Sequence, residues 1–259
     1  MTNFEYVLPN VCVLYNEVID MSLAYFLCVK YRSRELEGME SPESDKKLRK
    51  KVIPALCTVT FRSRSSSGIL CVYKRGNTGE DDVYVLVAIH RILWDVTTSW
   101  LDSFILEFQP QANLNLIQIA QESIISAWND AILDATIIEI KQGMAGRMMN
   151  EGVRFLEIVT PAVGNTAAII VPQKGDEISF VYGEIGQYTR EDQIAHRSST
   201  KSSSFGSPLV TTEGKVVGIH RGTYCNESEA VILEFSLKLY LQKRNHSKDS
   251  RKPAIGILN

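Results

Sequence analysis

The sequence lacks a basic excess and lacks the cysteine spacing of a metal site. Its 259 residues carry 28 Lys and Arg against 30 Asp and Glu, which gives a net charge of −2 at neutral pH. A protein whose main task is to bind a phosphate backbone normally has an excess of basic residues, so nucleic acid is not an expected partner. The five cysteines are scattered and form no Cys-x-x-Cys pair, which indicates neither a zinc cluster nor a fully paired disulfide framework.

Long apolar runs and cofactor motifs are also missing. The longest charge-free apolar stretch near the N-terminus, residues 21–29, lies between Asp20 and Lys30, whereas crossing a bilayer takes about 20 residues. Residues 1–6 contain no Lys or Arg, so the basic start of a secretory signal is absent. We therefore expect no membrane partner and a cytoplasmic or otherwise intracellular location. No Gly-rich phosphate loop precedes a helix and no His/Cys/carboxylate cluster has metal spacing, so neither a cofactor nor a metal is expected.

The first fifth of the chain differs from the rest in its pattern of apolar and charged residues. Apolar residues from about Val11 to Tyr31 recur at steps of three and four, a spacing typical of an amphipathic helix. Residues 32–51 are rich in charge and end in a basic run, which is typical of a linker or a solvated helix end. Residues 1–51 are therefore predicted to be an N-terminal helical extension with a charged linker.

From residue 52 onward the sequence consists of short β-rich runs separated by turn clusters. Such a pattern, with few helices, is typical of an all-β sandwich or a pair of barrels. Residues 142–147 are interpreted as the connection between a first unit, 52–146, and a second unit, 147–259, and the spacing after about Phe235 predicts a C-terminal helix. The predicted strands are Leu56–Phe61, Gly68–Tyr73, Val83–Ile89, Phe104–Phe108, Leu114–Ile119, Ala135–Ile140, Arg154–Val159, Ala167–Val171, Glu177–Tyr182, Leu209–Thr211, Lys215–His220 and Ala230–Phe235.

Three stretches of the chain carry residues suited to nucleophilic catalysis. His90 directly follows an apolar strand, Asp134 opens a later one, and a Ser-rich loop at 202–207 leads into an apolar hairpin that ends at His220. Each stretch alone has an ordinary structural explanation. Their order along the chain, His then Asp then Ser, is one of the three orders in which the Ser-His-Asp triad occurs.

Four segments match motifs of one known family: Ser66-Ser67-Gly68-Ile69-Leu70 for G-[ST]-G-F-L, Val87 to His90 for T-A-A-H, Leu133 to Ile140 for D-I-A-L-L-K-L, and Phe205 to Val210 with Gly214 to His220 for an S-G-[GS]-P-L-V hairpin that ends in V-x-G-I-H. On these motifs, residues from about 52 to 240 resemble the trypsin-like serine proteases of the chymotrypsin fold. The resemblance implies two six-stranded antiparallel β-barrels with the active site in the cleft between them. It also implies that His90 is the general base and Asp134 the carboxylate that orients it.

The sequence departs from the family pattern at the nucleophile. The pattern G-x-S-G-[GS]-P aligns without gaps with residues 203–208, which puts Phe205 at the nucleophile position. A phenylalanine side chain has no proton to lose and no lone pair to attack a carbonyl. The oxyanion loop, Ser203 and Phe205 in this alignment, departs from the family pattern as well. Ser203 stands at a position that is usually Gly because its backbone takes an unusual conformation. Ser204 is the other candidate nucleophile, but consecutive Cα atoms lie about 3.8 Å apart, so its use requires a one-residue bulge.

Two further histidines are candidates for a substrate pocket. In the resemblance to glutamyl endopeptidases and to the chymotrypsin-like processing proteases of picornaviruses, the histidine of the G-I-H motif, His220, lies at the base of the specificity pocket. There an imidazole donates a hydrogen bond to a Glu carboxylate or a Gln amide oxygen. His196 is close enough in sequence to line the same cleft, while a solvent-exposed position remains open for both histidines.

The sequence supports two main functional hypotheses. The first is a trypsin-like serine protease homologue, inactive or impaired because of Phe205, that binds a peptide or protein partner in the inter-barrel cleft. The alternative is an active serine endopeptidase that uses Ser204 with His90 and Asp134 and prefers Glu or Gln at the cleavage position. In a third hypothesis, the apolar N-terminal segment docks another chain and makes the protein part of an assembly. The oligomeric state is not predicted.

Overall fold

A computed structural model describes residues 6–8, 11–13, 42–61, 64–75, 82–89, 103–108, 112–114, 116–130, 134–172, 178–198, 205–224 and 227–249. The chain divides into two compact units, residues 1–41 and 42–259. Of the predicted site residues, Asp134, His196, Phe205 and His220 belong to the described part. His90, Ser203 and Ser204 lie outside the described residues.

The first unit contains a short antiparallel hairpin. Strands β1 (Tyr6–Leu8) and β2 (Val11–Val13) pair antiparallel. The prediction of a helix that begins near Val11 is therefore wrong at its start. Valine favours extended backbone, and Pro9 and Asn10 between the strands are residues that favour turns. The rest of the predicted extension up to residue 41 lies outside the described residues.

The second unit begins with a seven-stranded antiparallel sheet that forms a half-barrel. Its strand order is β7-β6-β3-β4-β5-β9-β8, and over the described residues this path does not close. Where the sequence predicted a closed barrel of six strands, the structure thus has a half-barrel of seven strands. A short strand, β10 (Leu156–Glu157), adds to β4 in parallel. The seven strands are β3 (Leu56–Phe61), β4 (Arg64–Tyr73), β5 (Val83–Ile89), β6 (Phe104–Phe108), β7 (Ile117–Ile119), β8 (Ile124–Asp130) and β9 (Ala135–Ile140).

The second sheet closes into a six-stranded barrel, as predicted. Its strand order is β11-β12-β13-β16-β15-β14, and every neighbouring pair is antiparallel. The barrel is filled by small and branched apolar side chains, including Ile169, Ile185, Ile194 and Leu209. Its strands are β11 (Thr166–Pro172), β12 (Ile178–Arg190), β13 (Gln193–His196), β14 (Pro208–Thr211), β15 (Val216–Tyr224) and β16 (Glu227–Ile232).

Three α-helices accompany the two sheets in the described part of the second unit. Helix α1 (Pro42–Val52) precedes β3, α2 (Gln142–Asn150) connects β9 to β10, and α3 (Leu233–Asp249) follows β16 directly. Helix α3 confirms the predicted C-terminal helix, and the expected connection at 142–147 is the helix α2. Single 3-10 turns occur at Ile53–Ala55 and Gln121–Ser123. Among the described residues, no helix combines the length and apolarity needed to cross a bilayer, and the intracellular location stays a prediction.

Helix α1 shows that the end of the charged segment is ordered. Acidic residues in its first turn and basic residues in its last turn match the helix dipole. Asp45 forms an ion pair with Arg49 at 2.6 Å and accepts a hydrogen bond from the Tyr182 hydroxyl of β12 at 2.7 Å. Arg49 also donates to the Ile178 carbonyl at 2.7 Å. These contacts place α1 against the closed barrel.

The half-barrel and the closed barrel share an apolar core. Val85, Val87 and Ile89 of β5 belong to the same buried cluster as Val210 of β14 and Ile219 of β15. Strand β9 is buried at all its positions because one face fills the half-barrel and the other faces this shared core. The ends of β5 and β9 therefore reach the junction between the two barrels.

Candidate functional site

The register between β5 and β9 places Asp134 at the end of the sheet where β5 ends. Ile89, the last residue of β5, pairs with Ala135, the first residue of β9. Asp134 directly precedes Ala135 in the sequence, so it lies next to the end of β5. His90 lies outside the described residues.

Asp134 has an unusual backbone conformation. Its φ of 50° lies in the left-handed region, which Asp and Asn occupy more readily than other residues with a Cβ atom. The side chain is half-buried. Such conformations are typical of turns and also cluster at functional sites. The turn delivers this carboxyl group to the start of β9, at the barrel junction.

The loop at Phe205 to Ser207 lies against the end of β5. Gly206 has a φ of 82°, and a Cβ atom built on it would lie 2.2 Å from Ile89 Cγ2. Only glycine fits this conformation and this close approach. The Gly206 N–H donates to the His220 carbonyl at 2.8 Å, and the His220 N–H donates to the Ser207 carbonyl at 2.8 Å. The structure thus joins Ile89 of β5, the loop that contains Gly206 and Ser207, and His220 of β15.

Ser66 is a site-adjacent residue whose contact the sequence did not reveal. It lies on β4, is buried, and its hydroxyl donates a hydrogen bond to the Ile89 carbonyl. The contact holds the last residue before His90. The signal in the sequence was the Ser66-containing motif, but which carbonyl its hydroxyl binds depends on the pairing of β4 with β5.

Phe205 presents an aromatic ring at the junction. The side chain is 39% exposed, which is high for a phenylalanine in a barrel core or interface. That Phe205, rather than Ser204, faces the base stays a prediction, because His90 and Ser204 lie outside the described residues. The catalytic roles of His90 and Asp134 stay predictions for the same reason.

His196 and His220 form a buried pair. Nε2 of His196 and Nδ1 of His220 are hydrogen-bonded at 3.0 Å, and the rings meet edge to face with centroids 5.1 Å apart. Each residue is only 2% exposed, so neither histidine faces solvent. On β16, Ser228 pairs with His196 and Ala230 pairs with His220. Since paired residues share a face of a sheet, both rings point into the closed barrel.

Burial keeps both rings uncharged at neutral pH. It lowers the pKa of His196 to about 3, with the charge of His220 as the second cause and the Glu229 backbone carbonyl acting in the opposite direction. Burial likewise lowers the pKa of His220, again opposed by the Glu229 carbonyl. In the hydrogen bond between these two neutral imidazoles, one ring donates its N–H and the other ring accepts it on a bare nitrogen. Nδ1 of His196 has no hydrogen-bond partner among the residues that the structure describes.

The histidine pair does not form part of a larger ligand cluster. Within the described residues, no group of three or more His, Cys, Asp or Glu side chains could hold a metal ion. The two described cysteines that are free, Cys57 and Cys71, are buried in the half-barrel region, and burial raises the pKa of the Cys57 thiol to about 12. A thiol with such a pKa is not a nucleophile at neutral pH. The site therefore offers imidazole, carboxylate, hydroxyl and backbone N–H groups.

Comparison with solved structures identifies the fold. The chain is similar to the crystal structure of a serine endoprotease from Yersinia pestis, with a TM-score of 0.51 and 17% sequence identity; the match covers 78% of this chain and 67% of that chain. No protein-family model matches the sequence, and no curated protein sequence matches it. At this identity the likeness concerns the fold. The chain has a chymotrypsin-like two-barrel fold, with one closed six-stranded barrel and one half-barrel.

Proposed function

We propose that the protein is a trypsin-like serine protease homologue, with absent or impaired catalysis, that binds a peptide or protein partner in the cleft between its barrels. The observation that carries the proposal is the contact of Gly206 with Ile89. It supports the alignment in which the preceding residue, Phe205, stands at the nucleophile position next to the end of β5. A ring at that position cannot attack a carbonyl.

In the aligned pattern, the proposed base His90 has no nucleophile to activate. Asp134 in a triad orients the imidazole and stabilises its charged form after proton transfer. With Phe205 in place of serine, no hydroxyl proton is available at the aligned position. The remaining groups then serve to bind rather than to transform a ligand.

Binding of an extended peptide fits the chemistry of this cleft. Strand edges pair with extended peptides through main-chain hydrogen bonds, and a side-chain pocket adds selectivity. The half-exposed Phe205 ring offers apolar contact area at the barrel junction, and aromatic side chains dominate many binding energies. A polypeptide is therefore the proposed ligand.

The His196–His220 pair supports selectivity for a Gln or Glu side chain. When His196 donates to Nδ1 of His220, the His220 ring carries its own proton on Nε2. In this proposal a ligand side chain enters the barrel end far enough to accept from that N–H, because the ring itself is buried. Because both rings are neutral at pH 7, they do not compensate the charge of a buried carboxylate. This argument favours Gln over Glu in the pocket.

An active endopeptidase that uses Ser204 is the second candidate. The retention of both His90 and Asp134 in the sequence supports it, because a chain without catalysis has no chemical need for both a base and an orienting carboxylate. In this case Ser204 supplies the hydroxyl through a bulged loop, and Gln or Glu occupies the cleavage position.

A fluorophosphonate probe separates the two candidates, because it labels an activated serine. We expect no labelling of the purified full chain above that of a His90→Ala variant. Labelling that disappears in both Ser204→Ala and His90→Ala would establish the active endopeptidase instead.

Peptide binding tests the first candidate directly. Fluorescent peptides that differ only by Gln, Glu or Ala at one position are titrated against the parent protein and against a Phe205→Ala variant. We expect the Gln peptide to bind most tightly to the parent and several-fold more weakly to Phe205→Ala. Equal, negligible binding of all three peptides contradicts the proposal.

A further inference from the structure

A buried carboxylate links the half-barrel to the C-terminal helix. Glu139 on β9 is 4% exposed. It accepts a hydrogen bond from the Tyr240 hydroxyl at 2.9 Å and forms an ion pair with Arg244, both on α3. The Ser126 hydroxyl of β8 is hydrogen-bonded to the Tyr240 hydroxyl and lies 3.5 Å from Glu139 Oε2. We refer to Glu139, Ser126, Tyr240 and Arg244 as the Glu139 cluster.

Aromatic packing fixes the cluster in place. The Tyr240 ring stacks on Trp128 with centroids 5.6 Å apart and an angle of 12° between the rings. The Lys243 ammonium group lies over the Trp128 ring, 4.9 Å from the ring centroid. Trp128 and Ser126 are two residues apart on β8, so their side chains share the face that α3 covers. Helix α3 thus docks on the half-barrel by both polar and aromatic contacts.

The Glu139 cluster links α3, which follows the closed barrel, to β9 of the half-barrel, and each of these elements leads to part of the candidate site. Helix α3 continues without a break from β16 of the closed barrel, whose neighbour β15 carries His220. Glu139 lies on β9, and the first residue of the same strand, Ala135, pairs with Ile89. The Glu139 cluster therefore connects the strand pair that carries His220 to the strand that follows Asp134.

Directional contacts determine the relative orientation of the two barrels, which an apolar core alone does not fix. The hydrophobic effect is non-directional, so the shared core alone permits small rotations of one barrel against the other. Charge-assisted hydrogen bonds are directional and stronger. A separate connection exists at β10, where the Ile158 N–H donates to Val72 of β4 and the Val159 N–H donates to Val216 of β15, each at 2.9 Å. The Glu139 cluster and this second connection lie at different points, so together they restrict rotation of one barrel against the other.

We propose that Tyr240 and Arg244 are positioning residues, which act through Glu139 to set the orientation of the barrels and so hold Gly206 against Ile89. The inference rests on the proposed function only in that it treats this junction as the binding site. Loss of the Glu139 contacts rotates the closed barrel relative to β5 and β9. The contact between Gly206 and Ile89 then loosens, although each sheet keeps its own fold.

NMR on the full chain measures this contact directly. The readout is the nuclear Overhauser effect between the Ile89 γ2 methyl group and the Gly206 α protons, compared with an effect inside the closed barrel. We expect Arg244→Met to weaken the Ile89–Gly206 effect at least twofold, and Tyr240→Phe to weaken it less. Lys238→Met is the matched control, because Lys238 carries a positive charge on the same helix and its ion pair is with Glu234 of that helix, not with Glu139. An unchanged effect in folded Arg244→Met overturns the proposal.

A second variant covers the case in which Arg244→Met does not fold. The double substitution Glu139→Gln with Arg244→Met removes both charges, so no unpaired charge stays buried. A folded double variant with the parent Ile89–Gly206 effect also overturns the proposal. Peptide binding is measured on the same samples: a parent protein that binds no peptide while its variants lose the effect refutes the proposed function and leaves the positioning role supported.

Discussion

Gly206 lies directly against Ile89, and this contact joins the two barrels at the candidate site. A Cβ atom on Gly206 would approach Ile89 Cγ2 to 2.2 Å. Ile89 is also the residue whose carbonyl accepts the Ser66 hydrogen bond and whose partner in β9 is Ala135. Three separate segments of the chain therefore contact one isoleucine of β5.

Gly206→Ala is expected to destabilise the fold. Overpacking costs about 1–3 kcal/mol, and a Cβ atom at a φ of 82° adds about 1–2 kcal/mol of backbone strain. The measurement is the free energy of unfolding from chemical denaturation. Gly146→Ala in helix α2 is the control, because nothing lies within 4 Å of its added Cβ, and alanine stabilises a helix interior by up to about 1 kcal/mol. Equal stability of the two variants contradicts the close contact.

The His196–His220 pair predicts that stability falls in acid. The pKa of His196 is about 3 in the folded chain, against 6.5 for the free side chain, so the unfolded chain binds the proton more readily. This contribution is fully present above pH 6.5 and is lost as the pH falls from there towards 3. The slope reaches about 1.4 kcal/mol per pH unit for one such group. Urea unfolding of the parent and of His196→Gln across this range tests it, and parallel curves would falsify the expectation.

Restoration of the family pattern is expected to create reactivity. Phe205→Ser supplies a hydroxyl at the aligned position, and the additional Ser203→Gly substitution supplies the usual oxyanion-loop residue. Since one oxyanion donor contributes about 10²–10³ in turnover, the double variant is expected to react with a fluorophosphonate faster than Phe205→Ser by up to that factor. His90→Ala in the double variant is expected to abolish the reaction. If neither variant reacts, the alignment of Phe205 with the nucleophile is incorrect.

Loss of the His220 imidazole is expected to abolish the proposed selectivity for glutamine. A hydrogen bond between neutral groups contributes about 0.5–1.5 kcal/mol, so His220→Leu should weaken binding of the Gln peptide by roughly up to tenfold and leave the Ala peptide unaffected. Arg221→Gln is a control at the next, exposed position. Fluorescence anisotropy gives both affinities, and an equal loss for both peptides points to a general structural effect.

Local patterns in the sequence identified most strands of both sheets. Val83–Ile89, Phe104–Phe108 and Ala135–Ile140 were predicted with the bounds that the structure shows, because β-branched and aromatic runs favour extended backbone whatever their surroundings. Two strands were missed, β8 and β13. Strand β8 ends in Asn and Asp, which are unfavourable in strands, and β13 is only four residues long. Their strand structure therefore depends on pairing with neighbours.

The missed strand β13 explains why the burial of His196 was not predicted. Whether a histidine at a strand end faces solvent or a barrel interior depends on register with β16, and that register involves residues far apart in the chain. The same holds for Glu139, whose sequence context is an apolar strand and whose ion pair comes from a residue 105 positions away.

Composition, periodicity and the glycine-containing motifs thus determine the all-β class, the strand-rich units and the candidate residues, because these are properties of short segments and of their intrinsic backbone preferences. Tertiary structure alone decides that one sheet closes while the other is a half-barrel over the described residues, that two buried histidines are hydrogen-bonded to each other, and that Gly206 meets Ile89. These outcomes depend on which distant segments pack together, and packing energy is a property of the contact between segments rather than of either segment alone.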